Sequence, residues 1–403
     1  MATMPHVLLI SRCPPWPLHL GDRLIVWHLV RELSRRGCVI DLLAFASQAE
    51  DHDDLDHYRA HFGVVALFDE PARPPSTLLR RLLLPGARFP DQAAGVSSPA
   101  MWRAIEEQVA GNAYDCAHFF GGIQVSEYHQ AVGDLPTLIT PYESYSLYLE
   151  RALEASDGPA PAIRLRHFLA RRFESWLYAP FGRRVVVSDR DRAELRRLNP
   201  AQDWEVIPNG VDAEHFRPSG EAREAASLLF TGNFAYEPNV DAALWLARDL
   251  VPHLRQEHPE LQLWLVGNAP PESLRALAGE RIRVTGRVPD LRPWLTRATL
   301  YVSPLRMGAG IKNKVLEALA TGCPLLATPL SADGIALEHG RHAWLAARSD
   351  FPAAARKLLA DDALRKRLAL AGRQLVESRY SWQQVAERYA ALYQSLASSA
   401  LSR

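Results

Sequence analysis

Lysine is scarce in this chain of 403 residues: of 46 basic side chains only four are lysine, Lys312, Lys314, Lys357 and Lys366. A surplus of one charge is missing too, because 46 acidic side chains balance the 46 basic ones. That balance excludes a protein whose main work is gripping nucleic acid by neutralising phosphates. The four cysteines, Cys13, Cys38, Cys116 and Cys323, stand far apart with no CxxC pair. A zinc cluster and a disulfide framework are therefore not indicated, and a reducing cytoplasm fits. No stretch approaches the roughly 20 apolar residues of a membrane span. Residues 1–13 hold one short apolar run without the basic and apolar regions of a signal peptide. The expectation is a cytoplasmic protein, attached to a membrane peripherally at most.

What is present is an alternation of strand and helix. Residues 6–11 read as an apolar strand, 24–36 as a helix stopped by Gly37, and 39–45 as the next strand, which together make a βαβ unit of a parallel sheet. Further strands are expected at 114–120, 137–140 and 184–188. Residues 71–90, rich in proline and arginine around the apolar patch 78–84, read as loop with a short helix. Residues 163–178 read as a helix carrying Arg164, Arg166, Arg171 and Arg172. The two arginine patches, 73–88 and 164–184, would suit contact of the first domain with an anionic membrane, although a solvated helix face explains them as well. In the second half, short apolar runs at 228–232, 263–267, 282–285, 300–302 and 324–328 describe another doubly wound α/β domain. The predicted division is 1–203, 204–380 and a closing helix at 381–403, with a hinge near Asn209 and Gly210. Two such domains leave a cleft, where ligands usually bind.

Residues 303–328, SPLRMGAGIKNKVLEALATGCPLLAT, are the most informative segment. A strand runs into a loop with Gly308 and Gly310, and a helix starts around 311–313. The unpaired N–H groups of a helix start suit a phosphate, and two of the four lysines sit at that place. Gly310, Asn313, Lys314 and Glu317 share one helix face, so the Glu317 carboxylate stands one to two turns from the phosphate position, where it could accept from ribose hydroxyls. The plain alternative is a solvent-exposed Lys314–Glu317 pair behind ordinary turn glycines.

This segment resembles the donor-nucleotide motif of the retaining glycosyltransferases of family four, which have the GT-B fold of two facing Rossmann-like domains. Residues 14–37 (PPWPLHLGDRLIVWHLVRELSRRG), 206–218 (VIPNGVDAEHFRP), 228–242 (LLFTGNFAYEPNVDA), 263–267 (LWLVG) and 284–306 (VTGRVPDLRPWLTRATLYVSPLR) are similar to that family in order and spacing. The terminal SWQQVAERYAALYQSL resembles the helix that in this fold crosses back to the first domain. The resemblance implies transfer of a sugar from a UDP- or GDP-sugar to a hydroxyl acceptor that is lipid-linked, a glycan or a small molecule, in surface polysaccharide or glycoconjugate synthesis, with retention, no cofactor and no metal. Within it Glu317 matches the ribose-binding glutamate of the E-x7-E motif. Arg287 and Val288 match the stretch lining the nucleobase, and Gly21 the glycine of the loop that approaches the diphosphate. Asn209, Gly232, Asn233, Gly310 and Ile311 complete the expected donor site.

Two departures stand out. Ala309 occupies the place of the first motif glutamate, which leaves the sugar open and makes a non-catalytic binding subunit conceivable beside an epimerase or phosphorylase of the same fold. Many members also place an arginine and a lysine after the first strand of the second domain, where this chain has Asn233, Tyr236, Glu237 and Pro238. Arg306, Lys312 and Lys314 are therefore expected to supply the charge that meets the diphosphate. The pair Asp189 and Asp191, although spaced as DxD, reads as a helix start. On the acceptor side, Tyr142 and Glu143 stand where the family commonly has histidine and aspartate. Glu143 is either a sugar contact or a helix cap, and a tyrosine is no near-neutral base. Trp16, on the loop before Gly21, and His118, expected at a strand end facing the cleft, complete the acceptor-side candidates. For His118 a buried, hydrogen-bonded core position is the alternative.

Overall fold

The computed structural model of the chain describes residues 4–18, 21–52, 55–156 and 158–401. It divides into two compact units, one of residues 1–150, 159–207 and 382–403, the other of residues 151–158 and 208–381. The main division thus falls four residues beyond the expected 203, after β7, and the short segment 151–158 groups with the second unit.

The first unit is built on β1 (His6–Ser11), β2 (Val39–Ala46), β3 (Val65–Asp69), β4 (Cys116–Phe120), β5 (Thr137–Thr140), β6 (Arg183–Val186) and β7 (Glu205–Val206), in the order β3-β2-β1-β4-β5-β6-β7 with every described pairing parallel. β1, β2 and β4 are buried almost throughout, as a parallel sheet covered on both faces requires. On one face lie the helices Gly21–Arg35 and Trp382–Leu401, with Ile25, Val26, Leu29 and Leu33 in one core with Trp382, Val385 and Tyr389. Gly37, at φ +87°, ends the first of these helices, and its N–H donates to the Ser34 carbonyl. The opposite face carries Met101, Trp102, Ile105, Trp176 and Phe181.

The second unit holds β8 (Ser227–Thr231), β9 (Gln262–Val266), β10 (Ile282–Val284), β11 (Leu300–Ser303), β12 (Leu325–Ala327) and β13 (Trp344–Leu345), ordered β10-β9-β8-β11-β12-β13 and again parallel. Strands β3, β7 and β13 were not expected; two of them are only two residues long, too short to carry a periodic signal.

The arginine patches are partly consumed by the fold. Arg81, 5% exposed, pairs with Glu127 and donates to the Gly95 carbonyl. Arg88 lies over the Trp176 ring, and Arg184 donates to the carbonyls of Tyr178 and Ala179. The helices Pro75–Leu83 and Pro161–Leu177 nevertheless expose Leu79, Leu83, Leu165 and Phe168 beside Arg164, Arg166 and Arg172. No described helix is long and apolar enough to cross a membrane.

Candidate functional site

In the second sheet the winding reverses between β8 and β11, so the crevice beyond the C-terminal ends of these strands is the expected ligand position. β8 ends at Thr231, and a Cβ on the following Gly232 would stand 2.8 Å from Asn239 Nδ2 and 3.1 Å from Lys314 Nζ. Glycine at that place lets both side chains approach the backbone. Asn239 donates through Nδ2 to the Asn233 carbonyl at 2.7 Å and accepts from Lys314 Nζ at Oδ1.

β11 runs into the loop of residues 304–312, where Gly308 (φ +119°) and Gly310 (φ +65°) turn the chain into the helix Asn313–Ala320. Within the second unit, Arg151 donates to the Gly308 carbonyl and pairs with Asp333, each at 2.6 Å. Lys312 is buried and folds back on this loop, its Nζ donating to the carbonyls of Ala309 and Gly310 at 2.6 Å. Arg306 forks onto Asp241, whose second oxygen takes Arg348. Of the three expected cations, Lys314 is the one on the helix face with Glu317. Lys312 has backbone carbonyls as partners and Arg306 a carboxylate.

Lys314 is half-buried, and its Nζ lies 4.3 Å from the centre of the Phe230 ring. Burial, reinforced by the charge of Lys312, lowers its pKa to about 7. Glu317, one turn further, is 9% exposed, and burial raises its pKa to about 7 against the opposing pull of Lys314. Among the described residues no hydrogen-bond donor meets its carboxylate. An acceptor set this deep and unmet by the protein is open to completion by a ligand or water. Asn313 accepts from Asn209 Nδ2 at 2.9 Å, which ties the helix start to the segment before β8. Ile311 is buried, whereas Arg287 and Val288 lie on the loop after β10, Arg287 exposed. These two are not brought into the Lys314–Glu317 cluster by any described contact.

The first unit's candidates form a group of their own. Tyr142, half-buried, packs edge-on to Phe120 with centroids 4.9 Å apart, and the Arg12 guanidinium lies 4.1 Å from its ring centre. Burial raises the Tyr142 phenol pKa still further from neutrality. Glu143 is also half-buried, and beside it Ser144 Oγ accepts from Leu147 N–H at 3.3 Å in the first turn of the helix Tyr145–Glu154. Trp16 stacks on His57 at 4.1 Å and accepts at its carbonyl from Arg23 Nη1.

One expectation is corrected here. His118 does not face a crevice: it sits in mid-strand on β4, 0% exposed, with Nδ1 2.7 Å from Tyr393 Oη and Nε2 2.9 Å from Thr140 Oγ1. Strand alternation puts it on the face covered by the helix Trp382–Leu401, and burial drops its pKa to about 3. Gly21 is the exposed first residue of the helix Gly21–Arg35; His19 and Leu20, before it, lie outside the described residues.

Residues that pattern reasoning missed include Asn239, Arg12 and Glu174. Glu174 is buried and accepts from Tyr145 N–H at 2.7 Å and from Ser144 Oγ and Ser146 N–H, while Asp191 takes Ser144 N–H at 2.9 Å. These carboxylates hold the turn that bears Tyr142 and Glu143, and burial pushes the Glu174 pKa up to about 7. Asp189 and Asp191 do begin a helix, capped by Ser188. Among the described residues no three His, Cys, Asp or Glu side chains cluster as a metal site would.

The profile described as Glycosyltransferase Family 4 matches residues 24–215, and that described as Glycosyl transferases group 1 matches residues 225–361. The chain belongs to the family 4, group 1 glycosyltransferases. It is 32% identical over 233 residues to the phosphatidyl-myo-inositol mannosyltransferase of Mycobacterium tuberculosis, covering 54% of this chain and 60% of that one. To the glycogen synthase of the same organism it is 30% identical over 235 residues, covering 55% and 56%. The match thus spans little more than half the length of these relatives. Among solved structures, sucrose-phosphate synthase from Thermosynechococcus elongatus superposes with a TM-score of 0.75 at 19% identity, covering 98% of this chain and 100% of that one. Anabaena HepE in complex with UDP-glucose superposes at 0.67 with 14% identity, covering 96% and 99%. At these identities the likeness carries the fold, and that fold is GT-B.

Proposed function

We propose that this family 4 protein transfers a sugar from a UDP- or GDP-sugar to a hydroxyl acceptor with retention and without a metal, in the synthesis of a surface glycan or glycoconjugate. The observation that carries the reading is the pairing, on one face of the helix Asn313–Ala320, of a half-buried Lys314 with a buried Glu317 whose carboxylate meets no donor among the described residues. A nucleoside diphosphate answers both needs. Its phosphates take Lys314 and the positive helix start, and its ribose hydroxyls donate to Glu317.

The same groups serve the chemistry. As the glycosidic bond breaks, negative charge grows on the departing diphosphate, and a lysine held beside it in a poorly solvated site stabilises that charge more than it stabilises the ground state. A cationic Lys314 is in turn favoured by the bound diphosphate. With retention, the departing phosphate takes the acceptor proton, so the high pKa of the Tyr142 phenol is no obstacle and Glu143 serves as a sugar or acceptor contact. Names of similar proteins support such activity: two transfer or polymerise sugars, and the HepE structure holds UDP-glucose. The exposed Leu79, Leu83, Leu165 and Phe168, with arginines beside them, support peripheral contact with an anionic membrane bearing a lipid-linked acceptor.

The test is a donor panel of UDP-, GDP-, ADP- and dTDP-sugars with and without EDTA, reading released nucleoside diphosphate. EDTA-resistant release from one donor is expected. Tight nucleotide binding with no release under any acceptor condition would instead identify a binding subunit.

A further inference from the structure

The winding of the first sheet reverses between β1 and β4, with β2 and β3 to one side and β5, β6 and β7 to the other. The crevice beyond the C-terminal ends of these two strands is therefore the ligand position of this unit. A cation stands there. Arg12, the first residue past β1, donates its backbone N–H to the Phe120 carbonyl at the end of β4, 3.0 Å away. Its guanidinium lies over Tyr142.

Space for that side chain is made by Gly121. This glycine has φ +138°, and a Cβ there would come within 2.9 Å of Arg12 Cβ and 3.3 Å of Cγ and Cδ. Asp22, in the first turn of the helix Gly21–Arg35, accepts from Arg12 Nη2 at 2.6 Å and so orients the guanidinium. Among the described residues no acceptor meets Nε or Nη1, and the side chain is one-third exposed. Cys13 beside it keeps a protonated, neutral thiol, since burial and Asp22 push its pKa up to about 12. A planar, permanently charged group that is oriented on one side and retains donors on the other is built for a phosphate oxyanion.

We infer that Arg12, seated on Tyr142 and given room by Gly121, is an oxyanion-binding residue of the first unit, and that the acceptor it takes carries a phosphate ester. The word acceptor rests on the transferase reading, whereas the oxyanion site does not. The competing source of the same chemistry is the diphosphate of the nucleotide donor.

Two measurements on the full chain separate these. Phenylglyoxal modification of Arg12, followed by mass spectrometry, is expected to slow several-fold with glycerol 3-phosphate and to be unaffected by UDP or GDP. Calorimetry is expected to show that Arg12→Lys, which keeps the charge and loses the fork, and Gly121→Ala each weaken glycerol 3-phosphate binding about tenfold while leaving UDP affinity unchanged. Protection by UDP equal to that by glycerol 3-phosphate would overturn the acceptor assignment and give the cation to the donor. Protection by neither probe, or glycerol 3-phosphate affinity untouched in both variants, would overturn the site itself. Failure of both UDP and GDP to bind the unsubstituted chain would sink the transferase reading while leaving the phosphate result standing.

Discussion

The two sheets reverse their winding in the same way, β1 against β4 and β8 against β11, yet the crevices that result are furnished differently. In the second unit the crevice holds Lys314 and Glu317, both driven toward neutrality by burial and both titrating near 7. In the first it holds Arg12, already oriented by Asp22, with a tyrosine and a thiol whose pKa values burial moves away from neutrality. One crevice is prepared to change charge when a ligand arrives, while the other offers a fixed charge. Similar backbone topology thus sets where a ligand sits, and a handful of side chains sets what it is.

The largest expected effect lies at Lys314. Lys314→Ala should lower kcat/KM for the donor by about 10² to 10³, the scale of removing one preorganised transition-state contact. An unchanged melting temperature would show that the loss is chemical. A variant with full turnover would break the contrast between the two crevices.

Next comes pH. The diphosphate needs a protonated Lys314, whose fraction falls as pH rises through about 7, and the ribose needs an ionised Glu317, whose fraction falls as pH drops through about 7. Donor affinity should therefore peak near neutrality. Glu317→Gln should weaken nucleotide binding by about tenfold and flatten the acidic limb only. Calorimetric titrations from pH 5.5 to about 9 would check this, and a variant that flattened the alkaline limb would reverse the assignment of roles.

A smaller effect is predicted in the core of the first unit. His118→Phe should cost about 1–3 kcal/mol, because Tyr393 Oη and Thr140 Oγ1 lose their partner, with little change in turnover per folded molecule. The folded pKa of His118 lies far below the unfolded 6.5, so the unfolded chain binds the extra proton between about 6.5 and 3. The parent should then lose up to about 1.4 kcal/mol per pH unit from this group as pH falls through that window, a slope missing in His118→Phe. Urea titrations at pH 7 and 5 would show it.

The smallest effect on stability is expected at the exposed apolar helix faces. Leu83→Glu, at a side chain 65% exposed, should shift stability by no more than about 0.5 kcal/mol. It should, however, reduce cosedimentation with phosphatidylglycerol vesicles. Retention of vesicle binding by a Leu83→Glu, Phe168→Glu double variant would remove the membrane contact from the proposal.

Much of this was legible in the chain. The strand and helix alternation, the glycine loop before Asn313 and the shared face of Lys314 and Glu317 all follow from local periodicity, and the fold agrees. What periodicity misjudged has a common cause. Lys312 and Lys314 look equivalent in sequence, but Lys312 precedes the helix with extended backbone (φ −96°, ψ 94°) and turns to its own loop, whereas Lys314 stands in the first helical turn. His118 read either as a crevice residue, from its expected place at a strand end, or as a buried core histidine, and the fold takes the second. Which sheet face it joins depends on a helix whose Tyr393 lies 275 positions away. Arg81 looked like surface charge until Glu127 supplied its partner.

By itself the sequence determined two α/β halves, their strand polarity, and a glycine-fed helix with a lysine and a carboxylate one turn apart, because these depend on backbone preferences and spacing within a few residues. Only the tertiary structure decided which partner each cation takes, which histidine is core, and that Arg12 rests on Gly121 and Tyr142. Those outcomes depend on burial and on partners brought together from distant parts of the chain, and the cost of an unpaired buried charge is paid or avoided only when the chain has folded.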